Sequence, residues 1–178
     1  MRLLEIIREK SYEEGEVTLT SGRKSTFYVD GKQTTLDAEG GYLAGRLFYE
    51  MIKRSKIAVQ AVGGPTLGAD PIVTAISIVS YLEGAPIPAF IIRKEPKKHG
   101  KALWIEGDKS LRPGTNVAIV EDVVTTGGSM LRAIEAAKAQ GLEVVQVLAL
   151  VDREEGGREN LAKEGYRLES IFTKTDIV

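Results

Sequence analysis

The chain has 178 residues, 43% of them hydrophobic and 28% charged, and a formal net charge of −1, which suits one globular domain and argues against non-specific nucleic-acid binding. It has no cysteine and one histidine, His99, so disulfides, thiolate catalysis and cysteine metal sites are excluded, and a Ser-His-Asp triad is disfavoured. No apolar run approaches the roughly 18 residues of a membrane span, and the charged N-terminus is unlike a signal peptide. We therefore expect a cytoplasmic protein that has neither a membrane nor a nucleic-acid partner.

Hydrophobic periodicity predicts two helices and a hairpin in the first third of the chain. Apolar residues between Leu3 and Ile7 share one helical face, in a helix expected to end near Gly15. Residues 17–30 are strand-like but contain a turn, which indicates a hairpin or a small flap. A second helix is predicted over residues 38–53, where apolar side chains recur at helical spacing.

Strands alternate with helices along the rest of the chain. The predicted strands are residues 57–62, 88–93, 117–124 and 144–151, and the predicted helices are residues 72–82 and 130–140. Asp70 and Pro71 fit an N-cap followed by proline at the first helical position, and Gly141 fits a helix end. This alternation predicts an α/β fold with a central parallel sheet flanked by helices. A polar segment, residues 94–113, interrupts it, and loops of about twenty residues are usually functional or disordered.

Polar residues follow the carboxyl ends of the predicted strands, where open parallel sheets bind their ligands. The segment Thr-Thr-Gly-Gly-Ser at residues 125–129 lies between a strand and a helix, so its backbone N–H groups would face an anion such as phosphate. A tight turn capped by Ser129 is the alternative. The chain contains neither a Walker nor a Rossmann glycine motif, so neither nucleotide site is supported.

Three further clusters could carry chemistry. Glu121 and Asp122 could bind the vicinal hydroxyls of a sugar or help to hold Mg²⁺, although adjacent acids often face solvent or form a salt bridge. Residues 93–101 contain five basic side chains and His99; this segment could close over a polyanion such as pyrophosphate, or be a solvated charge run. Arg153 could bind a carboxylate bidentately, or form a surface salt bridge.

Together these clusters suit a phosphorylated ribose that carries a pyrophosphate, and they resemble a known family. Residues 117–129, VAIVEDVVTTGGS, resemble the PRPP-binding signature of type I phosphoribosyltransferases. The pattern Arg-Lys-x-x-Lys-x-His-Gly at residues 93–100 resembles the catalytic loop of the orotate phosphoribosyltransferases. Residues 21–25 resemble the N-terminal hood of the same enzymes, and residues 152–153 match as well.

The resemblance implies a single phosphoribosyltransferase domain over residues 1–178, with a hood over residues 1–36 and a PRPP-binding core over residues 37–178. It implies transfer of the 5-phosphoribosyl group from PRPP to orotate, which yields orotidine 5′-monophosphate and pyrophosphate in UMP biosynthesis. The implied cofactor is Mg²⁺. The implied partner is a second copy of the chain, because the catalytic loop of these enzymes reaches into the neighbouring subunit's active site.

The resemblance also implies the role of each residue. The PRPP-binding residues would be Arg93, Lys94, Lys97, His99, Glu121, Asp122, Val123, Val124, Thr125, Thr126, Gly127, Gly128 and Ser129. The catalytic residues would be Lys97, His99 and Asp122. Thr125 and Arg153 would hold orotate. Mg²⁺ would be held mainly through PRPP, with Glu121 or Asp122 as a contributor rather than as a fixed metal ligand.

The chain departs from the family pattern at two positions. Many members carry a lysine directly before the Ser-Gly-Arg of the hood, where this chain has Thr20, and another in the loop at residues 64–68, which contains none. Those two lysine roles are not transferred. A phosphoribosyltransferase for a purine or another base is the alternative enzyme, disfavoured by Arg153 and the His99 loop. A nucleic-acid-binding regulator with the same fold is disfavoured by the chain's length and net charge.

Overall fold

The structure, a computed structural model, describes residues 1–18, 24–95 and 104–178. The strands in these ranges are β1 Tyr12–Thr18, β2 Lys24–Val29, β3 Ala61–Pro65, β4 Ala89–Ile92, β5 Ile105–Glu106, β6 Asn116–Val124, β7 Glu143–Asp152 and β8 Leu168–Thr173. Strands β1 and β2 form an antiparallel pair, which confirms the predicted hairpin, although β1 begins earlier than predicted and most of the predicted turn lies outside the described residues. The other described strands form one sheet in the order β5-β4-β3-β6-β7-β8.

Helices cover both faces of this sheet. The helices are α1 Arg2–Ile6, α2 Gly31–Thr35, α3 Ala38–Lys53, α4 Ala69–Leu82, α5 Gly128–Ala139, α6 Gly157–Lys163 and α7 Lys174–Ile177. A π-helical turn over Ile7–Ser11 and a 3₁₀ turn over Asp108–Ser110 complete the elements of the described ranges. All pairs in the larger sheet are parallel except β4 with β5. The predicted central parallel sheet flanked by helices is confirmed.

Strand β6 lies between two hydrophobic cores, one on each face of the sheet. Ala118 and Val120 pack into the core that contains α3 and α4, whereas Val117 and Ile119 pack into the core that contains α5. Alternate residues of a strand point to opposite faces, so an apolar residue at every position is required here. Burial of each large apolar side chain contributes roughly 1.5–3 kcal/mol, and β6 therefore holds the two layers together.

Successive strands are added to one side of β3 and then to the opposite side of β6, so the strand order reverses between β3 and β6. From β3 it passes through α4 to β4 on one side, and from β6 it passes through α5 to β7 and then through α6 to β8 on the other side. Such a reversal leaves a crevice beyond the carboxyl ends of the two strands at the switch point. The crevice lies where β3 ends at Pro65 and β6 ends at Val124.

The first core strand is displaced from its predicted position. The prediction of residues 57–62, closed by the following glycines, is wrong: β3 spans Ala61–Pro65 and includes Gly63 and Gly64. Here glycine is needed for close packing. A Cβ atom at Gly63 would lie 2.1 Å from the Phe90 ring, and one at Gly64 would lie 2.1 Å from the backbone oxygen of Val120.

The N-terminal region differs from prediction in two details. The first helix ends before Tyr12, so Gly15, expected to end it, lies inside β1. Helix α2 was not predicted, because its sequence Gly-Lys-Gln-Thr-Thr has neither good helix formers nor apolar periodicity. It forms because the Asp30 side chain caps it, accepting a hydrogen bond from the Lys32 N–H at 3.2 Å. The predicted helix over residues 38–53 is confirmed as α3.

The remaining predicted elements are confirmed within a few residues, and some were missed. Helix α4 begins at Ala69 with Gly68 as its N-cap, so Asp70 lies in its first turn and is not the N-cap. The polar segment at residues 94–113 contains β5 and the 3₁₀ turn. Elements α6, β8 and α7 were not predicted. In the ranges that the structure describes, no helix is long and apolar enough to cross a membrane.

We predict that Gly64→Ala lowers the free energy of unfolding by about 1–3 kcal/mol, the usual cost of overpacking, because the new Cβ atom would collide with the backbone of β6. Urea denaturation of purified protein measures this effect. Gly128→Ala is the matched control, since its Cβ atom would meet no atom closer than 3.6 Å; helix propensity should leave its stability unchanged or raised by up to about 1 kcal/mol. Equal stability of both variants would show that β3 can move away from β6.

Candidate active site

The two acids at the end of β6 point to opposite faces of the sheet. Glu121 is buried and accepts a hydrogen bond from the hydroxyl of Ser129, in the first turn of α5. Asp122 is half-buried and faces Gly31 of α2 and Gly68 before α4. The alternation of the strand therefore gives each carboxylate a separate environment.

Burial dominates the electrostatics of Glu121. Removal from water, together with repulsion from the adjacent Asp122, raises the pKa of Glu121 to about 7. The Ser129 hydroxyl and the positive charge of Arg132 oppose this rise. At neutral pH the Glu121 carboxyl of the ligand-free protein is therefore partly protonated and partly ionised. A cation bound nearby would favour the ionised form.

Asp122 is enclosed by backbone. A Cβ atom at Gly68 would lie 2.1 Å from Oδ1 of Asp122, and one at Gly31 would lie 2.8 Å from its Cβ atom, so neither position has room for a side chain. Burial raises the pKa of Asp122, whereas the nearby positive charge of Lys32 lowers it. The Lys32 ammonium also pairs with Asp30 at 2.6 Å, and this hydrogen bond is the main cause of the raised pKa of Lys32.

The predicted phosphate loop connects β6 to the N-terminus of α5. Gly127 is the helix N-cap, with a φ of 80° that favours glycine, and no side chain caps the helix. The alternative of a turn capped by Ser129 is therefore wrong, since that hydroxyl bonds Glu121. The side-chain amide of Asn160 donates to the Thr126 backbone oxygen at 3.0 Å, and Gly157 packs against the Thr125 backbone oxygen. Helix α6 thus braces the loop from outside.

A cavity of about 570 Å³ opens beside this loop, on the α5 side of the sheet. Its lining residues are Pro65, Ile92, Arg93, Lys94, Trp104, Ser129, Arg132, Ala133, Glu135, Ala136 and Ala139. Arg93 also pairs with Glu106 at 2.8 Å, which ties the end of β4 to β5. The predicted contacts Arg93, Lys94 and Ser129 are therefore brought together. Lys97 and His99 lie outside the described residues.

Arg153 occupies the other side of the crevice. Its backbone N–H donates to the Val124 oxygen at 2.9 Å, which places it beside Thr125. Its side chain is only 3% exposed and forms an ion pair with Glu155, whose side chain is 22% exposed, at 2.8 Å. The alternative of a salt bridge is therefore present, but the arginine is buried and does not lie at the surface. Its guanidinium carbon lies 4.4 Å from the centre of the Phe27 ring, within the range of a cation–π contact.

The loop that carries Arg153 is held at several points. The Asp152 carboxylate accepts from the Glu154 N–H at 2.9 Å and pairs with Arg158 at 3.0 Å. Glu154 adopts a φ of 57°, uncommon for a residue with a side chain, and its carboxylate accepts from the hydroxyl of Thr175 at 2.6 Å. The C-terminal helix α7 therefore stabilises the position of Arg153.

Several site residues were missed at the sequence level. They are Phe27, Gly31, Lys32, Gly68, Trp104, Arg132 and Lys174. The Lys174 ammonium lies 4.4 Å from the centre of the Phe27 ring, as close as the guanidinium of Arg153. None of these residues forms part of a recognisable motif, and each reaches the site through tertiary packing. Only the position of Arg132, one helical turn after the phosphate loop, offered a signal.

The donor set limits how a metal ion could be held. In the part of the chain that the structure describes, no three His, Cys, Asp or Glu side chains cluster closely enough to hold a metal. Glu121 and Asp122 point to opposite faces of the sheet. One carboxylate can still add a ligand to a Mg²⁺ ion whose other ligands are phosphate oxygens and water, which is a common mode for this ion.

Comparisons with known proteins agree with this geometry. The sequence profile of the phosphoribosyl transferase domain matches residues 40–174. The orotate phosphoribosyltransferase of Aquifex aeolicus is 49% identical over 99% of this chain and 96% of its own length. That of Sorangium cellulosum is 46% identical over 99% of this chain and 92% of its own length.

Solved structures give the same result. A crystal structure of Mycobacterium tuberculosis orotate phosphoribosyltransferase superposes with a TM-score of 0.83 and 41% identity, over 99% of this chain and 97% of that chain. A second structure of that enzyme, in complex with PRPP, superposes with a TM-score of 0.79 and 38% identity, over 99% and 96% of the two chains.

We predict that Glu121→Gln stabilises the ligand-free protein in a pH-dependent manner. The folded pKa of about 7 is above the ordinary 4.5, so the protonated carboxyl stabilises the fold fully at low pH, and this contribution is lost as the pH rises through 7. Glutamine mimics the neutral carboxyl at every pH. The variant should match wild type near pH 4.5 and exceed it by roughly 2–3 kcal/mol near pH 8, measured by urea unfolding. Glu143→Gln, at an exposed position, is the control; a pH-independent difference would contradict the prediction.

Proposed function

The chain belongs to the phosphoribosyl transferase family, and within it to the orotate phosphoribosyltransferases, and from that premise we propose how its residues share the work of the reaction. The reaction transfers the 5-phosphoribosyl group of PRPP to orotate, releases pyrophosphate and forms orotidine 5′-monophosphate, a step of pyrimidine biosynthesis. The observation that carries the assignment of roles is the end of β6, where two acids, a phosphate loop and a backbone-linked arginine converge.

The donor end of the site is assigned to β6 and α5. The N–H groups of residues 125–129 surround the 5′-phosphate, because the N-terminus of a helix favours an anion. Glu121 and Asp122 accept hydrogen bonds from the ribose hydroxyls. As the bond from the ribose C1 atom to pyrophosphate breaks, positive charge develops on the sugar, and the nearby carboxylates stabilise it.

The acceptor end is assigned to the crevice beside Arg153. Its guanidinium is buried, which strengthens its interaction with a carboxylate such as that of orotate. Orotate would displace Glu155 as the ionic partner of Arg153 or share the guanidinium with it. Thr125, whose neighbour Val124 bonds the Arg153 backbone, would position the pyrimidine ring next to the ribose C1 atom.

The leaving group is assigned to the basic segment after β4. Arg93 and Lys94 face the cavity on the α5 side, and Lys97 and His99 follow them in the sequence. Cations on pyrophosphate neutralise the charge that it gains on leaving, and a segment that closes over PRPP excludes the water that would hydrolyse it. Mg²⁺, bound mainly by the phosphate oxygens, would supply further positive charge to the leaving group.

Helix α4 presents an apolar surface that suits a second copy of the chain. Ile78, Tyr81 and Leu82 are 56%, 72% and 74% exposed, and they line a groove with Pro86 and Pro88. Contiguous exposed apolar side chains of this size mark interaction surfaces. We propose that this patch is part of a homodimer interface, that the active sites are shared between subunits, and that residues 1–36 act as a hood within a single-domain chain.

We predict turnover of orotate with PRPP and Mg²⁺, and no comparable turnover of adenine, guanine, hypoxanthine or uracil, since only orotate offers a carboxylate to Arg153. Release of pyrophosphate and formation of nucleotide, followed by chromatography, measure the reaction. Removal of Mg²⁺ by a chelator should abolish it. Turnover of a purine without turnover of orotate would contradict the assignment, and tight salt-sensitive RNA binding without turnover would favour a regulator.

We predict that Lys97→Ala and Asp122→Asn chains complement each other when they are co-expressed. Each variant alone should lose at least about 100-fold in turnover. A mixed dimer pairs the intact Lys97 of one chain with the intact Asp122 of the other, so it contains one complete site if the loop crosses between subunits. Random mixing should then restore about a quarter of wild-type activity.

The control for this experiment mixes Lys97→Ala with His99→Ala. Both changes lie in the same segment, so every site of the mixed dimer contains a defective loop and no recovery is expected. Absence of recovery in the first mixture, with dimers shown by light scattering, would mean that each loop serves its own subunit.

A further inference from the structure

Arg132 is a cation beside the phosphate loop to which the roles above assign nothing. It lies four residues after Gly128, in the second turn of α5, and it lines the cavity together with Arg93, Lys94 and Ser129. Helical side chains lean toward the N-terminus of their helix. Accordingly, its Nη1 atom lies 3.6 Å from the position that a Cβ atom would take at Gly128.

This position is electrostatically unfavourable in the absence of an anion. The N-terminus of α5 carries the positive end of the helix dipole, so a guanidinium above it adds like charge. Over residues 1–18, 24–95 and 104–178 no ion pair joins Arg132 to a carboxylate, although Glu135 lines the same cavity. The charges of Glu121 and Arg132 attract each other, but Glu121 is buried and bonds Ser129, whereas Arg132 is an exposed residue.

We propose that Arg132 binds the 5′-phosphate of the ribosyl donor and supplies the charged side-chain contact that the loop of threonines, glycines and serine lacks. The inference rests on the proposed function, since it takes residues 125–129 as the 5′-phosphate site. A guanidinium donates two parallel hydrogen bonds to a phosphate. It would approach from the open side of the helix, while the backbone N–H groups approach from the loop.

The assignment to the 5′-phosphate, and not to pyrophosphate, follows from location. Arg93 and Lys94 directly follow the end of β4, where the leaving pyrophosphate is assigned. The side chain of Arg132 instead reaches back to Gly128, in the first turn of the helix whose N-terminus is assigned to the 5′-phosphate. The 5′-phosphate and the pyrophosphate of the donor thus meet separate cations, and a ligand that carries only one of these two groups tells the two sites apart.

Calorimetric titration of Arg132→Gln with ribose 5-phosphate and, separately, with pyrophosphate tests the proposal. We expect the dissociation constant for ribose 5-phosphate to rise by about 10- to 100-fold, the usual effect of losing a charge-assisted hydrogen bond, and that for pyrophosphate to change by less than about 3-fold. Arg132→Lys should recover part of the loss, because it keeps the charge without the fork. Quenching of Trp104, the only tryptophan of the sequence, gives a second readout from the same cavity.

Arg167→Gln is the matched control, because Arg167 is exposed and precedes β8, at the opposite edge of the sheet. It should bind both ligands as wild type does. A larger loss for pyrophosphate than for ribose 5-phosphate in Arg132→Gln would overturn the assignment, as would equal affinity of that variant and wild type for ribose 5-phosphate. Wild-type turnover of orotate, measured in parallel, separates these outcomes from failure of the proposed function, which would show as no turnover at all.

Discussion

The placement of two adjacent carboxylates near the end of a largely buried strand is the constraint on which the rest of the structure depends. Taking an ionised carboxylate out of water costs several kcal/mol unless it is paired and hydrogen-bonded. Strand alternation meets this difficulty by sending Glu121 toward α5 and Asp122 toward α2 and α4. Glu121 gains the Ser129 hydroxyl and keeps a pKa of about 7, whereas Asp122 gains the charge of Lys32. Each carboxylate therefore has a partner of its own, Ser129 for Glu121 and Lys32 for Asp122.

The burial of these carboxylates also explains why several positions around the site are glycines. Asp122 can lie between α2 and the start of α4 only because Gly31 and Gly68 present bare backbone to it. Gly64 allows β3 to pack closely against the backbone of β6. These residues bind no substrate in the proposed scheme, yet a single methyl group at any of them would displace the acid or the strand. The precision of the site thus originates in packing distances of the backbone.

The sequence predicted the elements whose signals are local, and it failed where the determinants are distant. The strand at residues 117–124 and the loop after it were predicted because a continuous apolar run and a glycine-rich segment are both visible in consecutive residues. Helix α2 was missed because a capping carboxylate, rather than helix propensity, stabilises it. The start of β3 was misplaced because its glycines face a ring and a carbonyl from other strands. Arg153 and Lys174 both lie over the ring of Phe27, which is more than 120 residues away from either in the sequence, and no spacing rule predicts such contacts.

The residues assigned to the donor's phosphates and those assigned to the acceptor lie on different faces of the sheet. Glu121, Ser129 and the cations of the cavity lie on the α5 face, which is assigned to the donor's phosphates. Asp122, Gly31 and Phe27 lie on the face covered by α2 and α4, next to the buried Arg153. The reacting C1 atom would then sit above the end of β6, between a face that attracts the leaving anion and a face that holds the acceptor. An in-line displacement needs its entering and leaving groups on opposite sides of the reacting atom, and the proposed assignment of the acceptor and of pyrophosphate to opposite faces of the sheet agrees with that requirement.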